Sequence, residues 1–313
     1  MNNPFGFLII NKHAGLTSHD CVKVIRRIFN MKKVGHGGTL DPAVTGVLPI
    51  AIGNATRLLP YLPEEKTYKA IIQLGIETFT DDLEGEVISR KKWPILDTKI
   101  LEKQLNKFRG SISQRPPNIS SVHFQGIRAY KRARRGEVFN LPNRDITIYK
   151  LNLVSWDQDN GKLIITVHCS SGTYIRSLAR DLGNNLKCGG SLAKLHRTQA
   201  LGFKEQQSIP LKNIEEFSLK AKPELINPVE VLNHLPSKIL SSQEELDRWR
   251  KGQSLTISEN IEEIEARTTK KYSTISNSKK ILTIIDQENQ IAGIGDYSIP
   301  FTIKPKVVFN AYG

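Results

Sequence analysis

Between Val34 and Gly46 the chain reads Val-Gly-His-Gly-Gly-Thr-Leu-Asp-Pro-Ala-Val-Thr-Gly, and no other stretch restricts the backbone as much. Gly35, Gly37 and Gly38 permit positive φ and close approach of the backbone to a ligand. Pro42 fixes its own φ and pushes Asp41 out of the helical region. Asp41 is therefore expected on a rigid turn. The residues alone leave two readings open, a carboxylate held in place for chemistry or an Asp that merely caps its turn. A phosphate-cradling loop fits poorly, because the Gly-Lys-Ser/Thr ending it requires is absent.

The flanking pattern mixes strands and helices. Phe7 to Asn11 reads as a short buried strand, and Ser18 is expected to cap a helix in which Val22, Ile25, Ile28 and Phe29 recur at helical spacing. Tyr68 to Leu74 is strand-like. A second helix is expected after Asp97, with Ile100, Leu101, Leu105 and Phe108 on one face and Gly110 as its stop. Leu163 to Cys169 alternates like a strand, and Tyr174 to Leu182 reads as a helix closed by Gly183. Without regular βαβ spacing the expectation is an α+β fold, a mixed and largely antiparallel sheet with flanking helices. After Leu235-Pro-Ser-Lys238 the composition changes, and Ile281 to Ile294 reads as a hairpin. The expected division is a large region, residues 1–235, and a small β-rich region, residues 236–313.

Charge narrows the partner. The chain carries 45 Lys and Arg against 31 Asp and Glu, a net charge of +14, and 34 of those bases with 21 of the acids fall in residues 1–235. Such an excess fits a polyanion, a membrane surface or a plain aid to solubility, and whatever anion binds should meet the first three quarters of the chain. Its densest part is residues 121–150, where Arg128, Lys131, Arg132, Arg134, Arg135, Arg144 and Lys150 face only Glu137 and Asp145. No apolar stretch reaches membrane-spanning length, and the apolar start is too short for a secretion signal, so a cytoplasmic protein is expected. Cys21, Cys169 and Cys188 are far apart and lack ligand spacing, which predicts reduced thiols and no metal.

The run Gly-His-Gly-Gly-Thr-Leu-Asp-Pro, followed by Thr-Gly-Val-Leu-Pro, resembles the signature of bacterial tRNA pseudouridine-55 synthases. The resemblance continues through Lys66-Thr-Tyr68, Arg115-Pro-Pro-Asn-Ile-Ser-Ser121, Gly136-Glu-Val138, Ile146-Thr-Ile-Tyr149, the stretch Cys169 to Gly183, Leu192-Ala-Lys-Leu-His-Arg-Thr198 and Gly202-Phe203. It implies a pseudouridine synthase fold and an isomerase that converts a uridine of the tRNA T arm without cofactor or metal. It also implies roles: Asp41 as the essential carboxylate, Tyr68 packed on the target base, Arg176 as partner of Asp41, Leu195 as an apolar wall, Tyr174 beside the substrate, and His36 helping to displace the base.

The chemistry agrees with that assignment. Making pseudouridine requires the N1 glycosidic bond broken, the uracil turned and a bond formed at C5. A carboxylate serves the first step by attacking C1′ or by removing a C2′ proton. A nearby arginine would keep it ionised, and a stacked tyrosine could hold the flipped base. Arg132 and Arg134 are the expected phosphate contacts of the basic segment. Where the family usually has Tyr-Ser-Ala-Val-Lys, this chain has Ile119-Ser-Ser-Val-His123, a change expected to touch RNA affinity rather than chemistry. The last 75 or so residues match least, and by position they resemble a small RNA-binding domain of the PUA type. Two other classes compete, a guide-RNA-dependent synthase of ribosomal RNA and a non-catalytic tRNA chaperone. A monomer is the expected state.

Overall fold

In the computed structural model, which describes residues 4–218, 222–256, 280–298 and 302–312, the chain opens with strand β1 (Gly6–Lys12) and helix α1 (Ser18–Phe29). Phe7 and Ile9 of β1 enter one core while Leu8 and Ile10 enter another. A strand buried on both faces needs apolar residues at every position, and the run Phe-Leu-Ile-Ile supplies them. The α1 cap is Thr17 rather than Ser18. Thr17 and Asp20 satisfy each other's backbone N–H in a capping box, which frees the Ser18 hydroxyl for another use.

The main sheet has ten strands. Those on its principal path after β1 are β3 (Thr45–Ile52), β4 (Lys66–Leu74), β5 (Gly110–Gln114), β6 (Arg144–Asp157), β7 (Lys162–Cys169), β8 (Gly190–Ala200) and β9 (Ile209–Pro210), in the order β9-β1-β3-β8-β4-β7-β6-β5, with β2 (Val34–His36) paired to β3. Only β9 with β1 and β3 with β8 run parallel. The expected mixed, largely antiparallel α+β architecture is the one observed. The parallel β3–β8 pairing matters most for function, because it brings Thr45-Gly46 alongside His196-Arg197 from the far end of the chain.

Three helices lie in the central part of the chain: α2 (Thr98–Asn106), the short α3 (Ala129–Ala133) and α4 (Ile175–Asn185). Leu101 and Leu105 of α2 and Leu178 and Leu182 of α4 pack against Ala70, Ile72, Ile165 and Val167 of the sheet. Two expected boundaries fail. Gly110 does not stop α2, which ends at Asn106, and instead begins β5, while Ile100 faces solvent. Gly183 does not close α4 but lies inside it. A β-carbon there would overlap the backbone of Gly189 and Gly190, so the residue is needed for close helix–strand approach.

Helix α5 (Leu211–Ser218) packs on α1. A second sheet follows, built from β10 (Ser237–Ile239), β11 (Leu255–Thr256), β12 (Ile281–Ile285), β13 (Ile291–Ser298) and β14 (Thr302–Val308) in the order β10-β12-β13-β14-β11. The hairpin expected at Ile281 to Ile294 is its centre, while residues 257–279 of the expected C-terminal region lie outside the described ones. Trp249 of helix α6 (Gln243–Arg250) is fully buried against this sheet and donates its indole N–H to the Ala292 carbonyl at 2.9 Å. Ile291, Ile294, Val307 and Phe309 share a core with Phe7, Val47 and Phe203, so the two sheets are packed together. Among the described residues no helix is long and apolar enough to cross a membrane.

Candidate active site

Asp41 sits on the link between β2 and β3, and the residues on either side of it are clamped. Ser18 Oγ accepts from Leu40 N at 2.8 Å and donates to Leu40 O at 3.2 Å. Pro42 O accepts from Gly15 N at 3.0 Å and from Lys12 Nζ at 3.1 Å. Lys12 is fully buried, and its ammonium also donates to His13 O and Leu16 O. Three carbonyls satisfy a cation that burial would otherwise expel, and burial lowers its pKa all the same. With both neighbours fixed, the Asp41 carboxylate projects outward, half exposed.

Arg176 meets it. The first turn of α4 places this nearly buried guanidinium 2.9 Å from Asp41 Oδ2 and 3.5 Å from Asp82 Oδ2. Its Nη1 donates to Thr80 O at 3.1 Å and its Nη2 to Ile119 O at 2.9 Å. A planar fork held at four points cannot swing away from Asp41 without leaving a buried donor unpaired. Asp82 and Thr80 were invisible to sequence reasoning. The signal was there, a Thr-Asp-Asp run between a strand and a Gly turn, but only the fold puts it opposite α4.

Tyr68 stands on β4 at the inner wall, 7% exposed, and burial pushes its phenol up to about 12, with the Arg197 guanidinium beside it opposing the rise. Arg197, on β8 directly opposite Tyr68, is fully buried and donates to Val47 O at 2.8 Å and Gly38 O at 3.1 Å. It ties the glycine-rich loop to the sheet. Gly46 is required for this, since its φ is +107° and a β-carbon would overlap the Arg197 carbonyl. Arg197 lay within a motif quoted from the sequence, yet nothing local marked it as buried.

Asp41, Arg176, Tyr68, Tyr174 and Leu195 together line one cavity of about 270 Å³, with Lys66, Gly38 and Ser120 completing its walls. Tyr174 is held by Gln114, whose side chain accepts from Tyr174 N at 2.9 Å and donates to Tyr174 O at 3.0 Å. Leu195 packs between the cores on either side. The other residues singled out by sequence lie elsewhere. His36 ends β2 outside the cavity wall, its buried Nδ1 without a hydrogen-bond partner among the described residues, and burial together with nearby Arg197 lowers its pKa. Arg132 is tied to Glu137 at 2.7 Å and lies over the Phe124 ring, whereas Arg134 is exposed against Tyr130.

Residues 26–175 match the model of the TruB family pseudouridylate synthase N-terminal domain, and residues 176–233 that of the tRNA pseudouridylate synthase B C-terminal domain. A tRNA pseudouridine synthase B of Prochlorococcus marinus is 52% identical over 98% of both chains, and one of a Synechococcus species is 50% identical over the full length of both. Among solved structures, a Cbf5-Nop10-Gar1 complex has a chain that superposes with a TM-score of 0.70 at 24% identity, covering 97% of this chain and 84% of that one, a likeness of fold. On the full-length identity to these relatives, the chain belongs to the TruB family of pseudouridylate synthases.

Proposed function

We propose that this chain converts uridine to pseudouridine in tRNA, at uridine 55 of the T-arm loop, with Asp41 as the carboxylate that opens the glycosidic bond. The observation that carries this reading is the Asp41–Arg176 ion pair at the mouth of a cavity backed by a neutral tyrosine. Arg176 holds the carboxylate aimed through an ion pair at 2.9 Å, while the half-exposed side chain leaves an oxygen free for a ribose. Asp82 acts through Arg176 as a positioning residue.

The uracil, turned out of its stack, lies on Tyr68 with Leu195 and Tyr174 closing the pocket. A phenol held near 12 keeps its proton in the resting enzyme. Late in the reaction its hydroxyl relays the C5 proton, giving its own proton to water as it receives that one, with Arg197 beside it to favour the transient loss of its proton. His36, kept neutral at pH 7 by its lowered pKa, fills the vacated place in the RNA without adding charge. Arg134 and its exposed neighbours bind phosphates of the T arm.

Residues 1–235 form the catalytic unit, and residues 236–313, with nearly balanced charge, form a supporting PUA-like RNA-binding unit. The proposed working unit is a monomer acting in the cytoplasm. The decisive experiment incubates the purified protein with unmodified tRNA carrying tritium at uridine C5. Release of label without added RNA or protein is the expected result. No release at any salt concentration refutes the enzyme reading, and release only after a guide RNA is supplied transfers the substrate assignment to the guided class.

A further inference from the structure

The cavity holds one charged group that neither Asp41 nor Arg176 engages. Lys66 opens β4, two residues before Tyr68 and therefore on the same face of the strand, and it lines the same cavity. Its side chain runs past the glycine-rich loop, where a β-carbon on Gly38 would stand 3.4 Å from Lys66 Cε. Among the described residues its ammonium has no hydrogen bond and no ion pair. Asp41, the acid of this cavity, is engaged by Arg176, and Glu64, whose charge opposes the lowering of the Lys66 pKa, makes no ion pair with Lys66 and accepts from Ser171 Oγ at 2.8 Å.

The other cation on this wall makes the imbalance larger. Among the described residues Arg197 donates to the Gly38 and Val47 carbonyls, and its guanidinium also interacts with the Tyr68 phenol. Burial and the Arg197 charge both lower the pKa of Lys66, as expected where positive charge exceeds negative. Keeping an unpaired cation half-buried costs stability, so the wall is organised for negative charge that arrives with the substrate. The place of that charge follows from Tyr68. A ring stacked on Tyr68 lies beside Lys66, deep in the cavity, whereas the RNA phosphates stay with the backbone at its mouth.

Resting on the reading of the site as a pseudouridine synthase, we propose that the Lys66 ammonium is a further catalytic group: it donates a hydrogen bond to a carbonyl oxygen of the uracil and stabilises the uracil anion formed on glycosidic cleavage. When the N1–C1′ bond breaks, its electron pair stays on the uracil. Asp41 meanwhile either bonds C1′ or takes the C2′ proton. C5 of the anion then bonds C1′, Asp41 leaves or returns its proton, and the ring is restored when the C5 proton passes through Tyr68 to water and N1 gains a proton from water. Lys66 keeps its own protons throughout. Because the carbonyl oxygens carry more charge in the anion than in bound uridine, the contact strengthens as the bond breaks, and that lowers the barrier.

The test uses the full chain with Lys66→Gln and Lys66→Arg, measured by single-turnover tritium release and by tRNA binding across a salt series. Lys66→Gln should slow the chemical step on the order of a hundredfold, with tRNA affinity within a few fold and the salt slope unchanged, and Lys66→Arg should recover part of the rate. With tRNA containing 5-fluorouridine, whose uracil anion is intrinsically more stable and whose C5 carries fluorine in place of the proton, the reaction is followed by nucleoside analysis to the C5–C1′-bonded product, and the Lys66→Gln defect should shrink by roughly threefold or more. Two results overturn the proposal. One is a normal single-turnover rate with weaker binding and a salt slope reduced by about one, which marks a phosphate contact. The other is an equal defect on both substrates with no recovery by Arg, which marks packing. Wild-type protein that releases no tritium would instead refute the proposed function itself.

Discussion

Asp41 and the arginines of residues 121–150 are both assigned to RNA, yet their surroundings are opposite. The loop at Asp41 is fixed from beneath by Ser18, Lys12 and Arg197, and from across the cavity by Arg176, all of them nearly or fully buried. The arginine segment carries only a small core of its own, Val122, Ala129 and Leu141 with Phe124, Phe139 and Tyr174 packed against it. A carboxylate that must meet one sugar carbon gains from every clamp, since reacting atoms tolerate little misplacement. A base that meets a phosphate does not, because a point charge works over several ångströms and from many directions. Rigidity in this molecule therefore tracks the tolerance of each task.

The largest effect should come from the clamped side. Asp41→Asn keeps the shape and removes the charge. Turnover should fall on the order of ten-thousandfold or more, while tRNA affinity measured by filter binding stays within a few fold. Loss of binding as well would mean that Asp41 organises the loop rather than the reaction. Asp82→Asn is the next step down, because it leaves the Arg176–Asp41 pair but loosens the guanidinium that makes it. The single-turnover rate should fall roughly ten- to a hundredfold, the scale of a small misplacement. A wild-type rate would show that Thr80 and Ile119 hold Arg176 unaided.

How much of this was legible in the sequence depended on distance along the chain. β1 and β7 were readable because their burial is written in consecutive residues. The end of α4 was not, because whether Gly183 stops a helix or admits a neighbour depends on where Gly189 and Gly190 return. In the site, Asp41, Tyr68, Arg176, Tyr174 and Leu195 were named through motif resemblance and meet in one cavity. Their supports were missed for a physical reason. Lys12 fell just past the expected strand Phe7 to Asn11 and drew no reading of its own, and Ser18 read as a helix cap, since a polar residue's ordinary local role hides a tertiary one. In the basic segment, counting charge overstated what is free, because Arg132 is committed to Glu137 and Phe124.

Lys12→Met sharpens the structural half of the comparison. It removes the donor for three carbonyls and should cost about 3 kcal/mol of stability, read as a lower midpoint in urea. The loss should be specific to folding: at a temperature where the variant is folded, it should keep most of the single-turnover rate if Ser18 and Gly15 still hold the loop. A rate loss as large as that of Asp82→Asn would make Lys12 a positioning residue of the reaction as well.

The smallest effects separate two arginines that a charge count treats alike. Arg134 is exposed, and its guanidinium rests 5.6 Å from the Tyr130 ring centroid without an acidic partner among the described residues. Arg134→Ala should weaken tRNA binding by a few fold and reduce the salt slope by about one. Arg132 already donates to Glu137 Oε2 at 2.7 Å, so its charge is largely spent within the segment. Arg132→Ala should leave the salt slope nearly unchanged, because a guanidinium held by Glu137 makes no phosphate contact to lose, and should instead loosen the Phe124–Phe139 stack. Amide hydrogen exchange across residues 121–142 would register that loosening for Arg132→Ala and not for Arg134→Ala. Equal salt slopes for the two variants would mean that RNA binding breaks the Arg132–Glu137 pair, and the segment would then be one that rearranges on its substrate rather than a preformed basic surface.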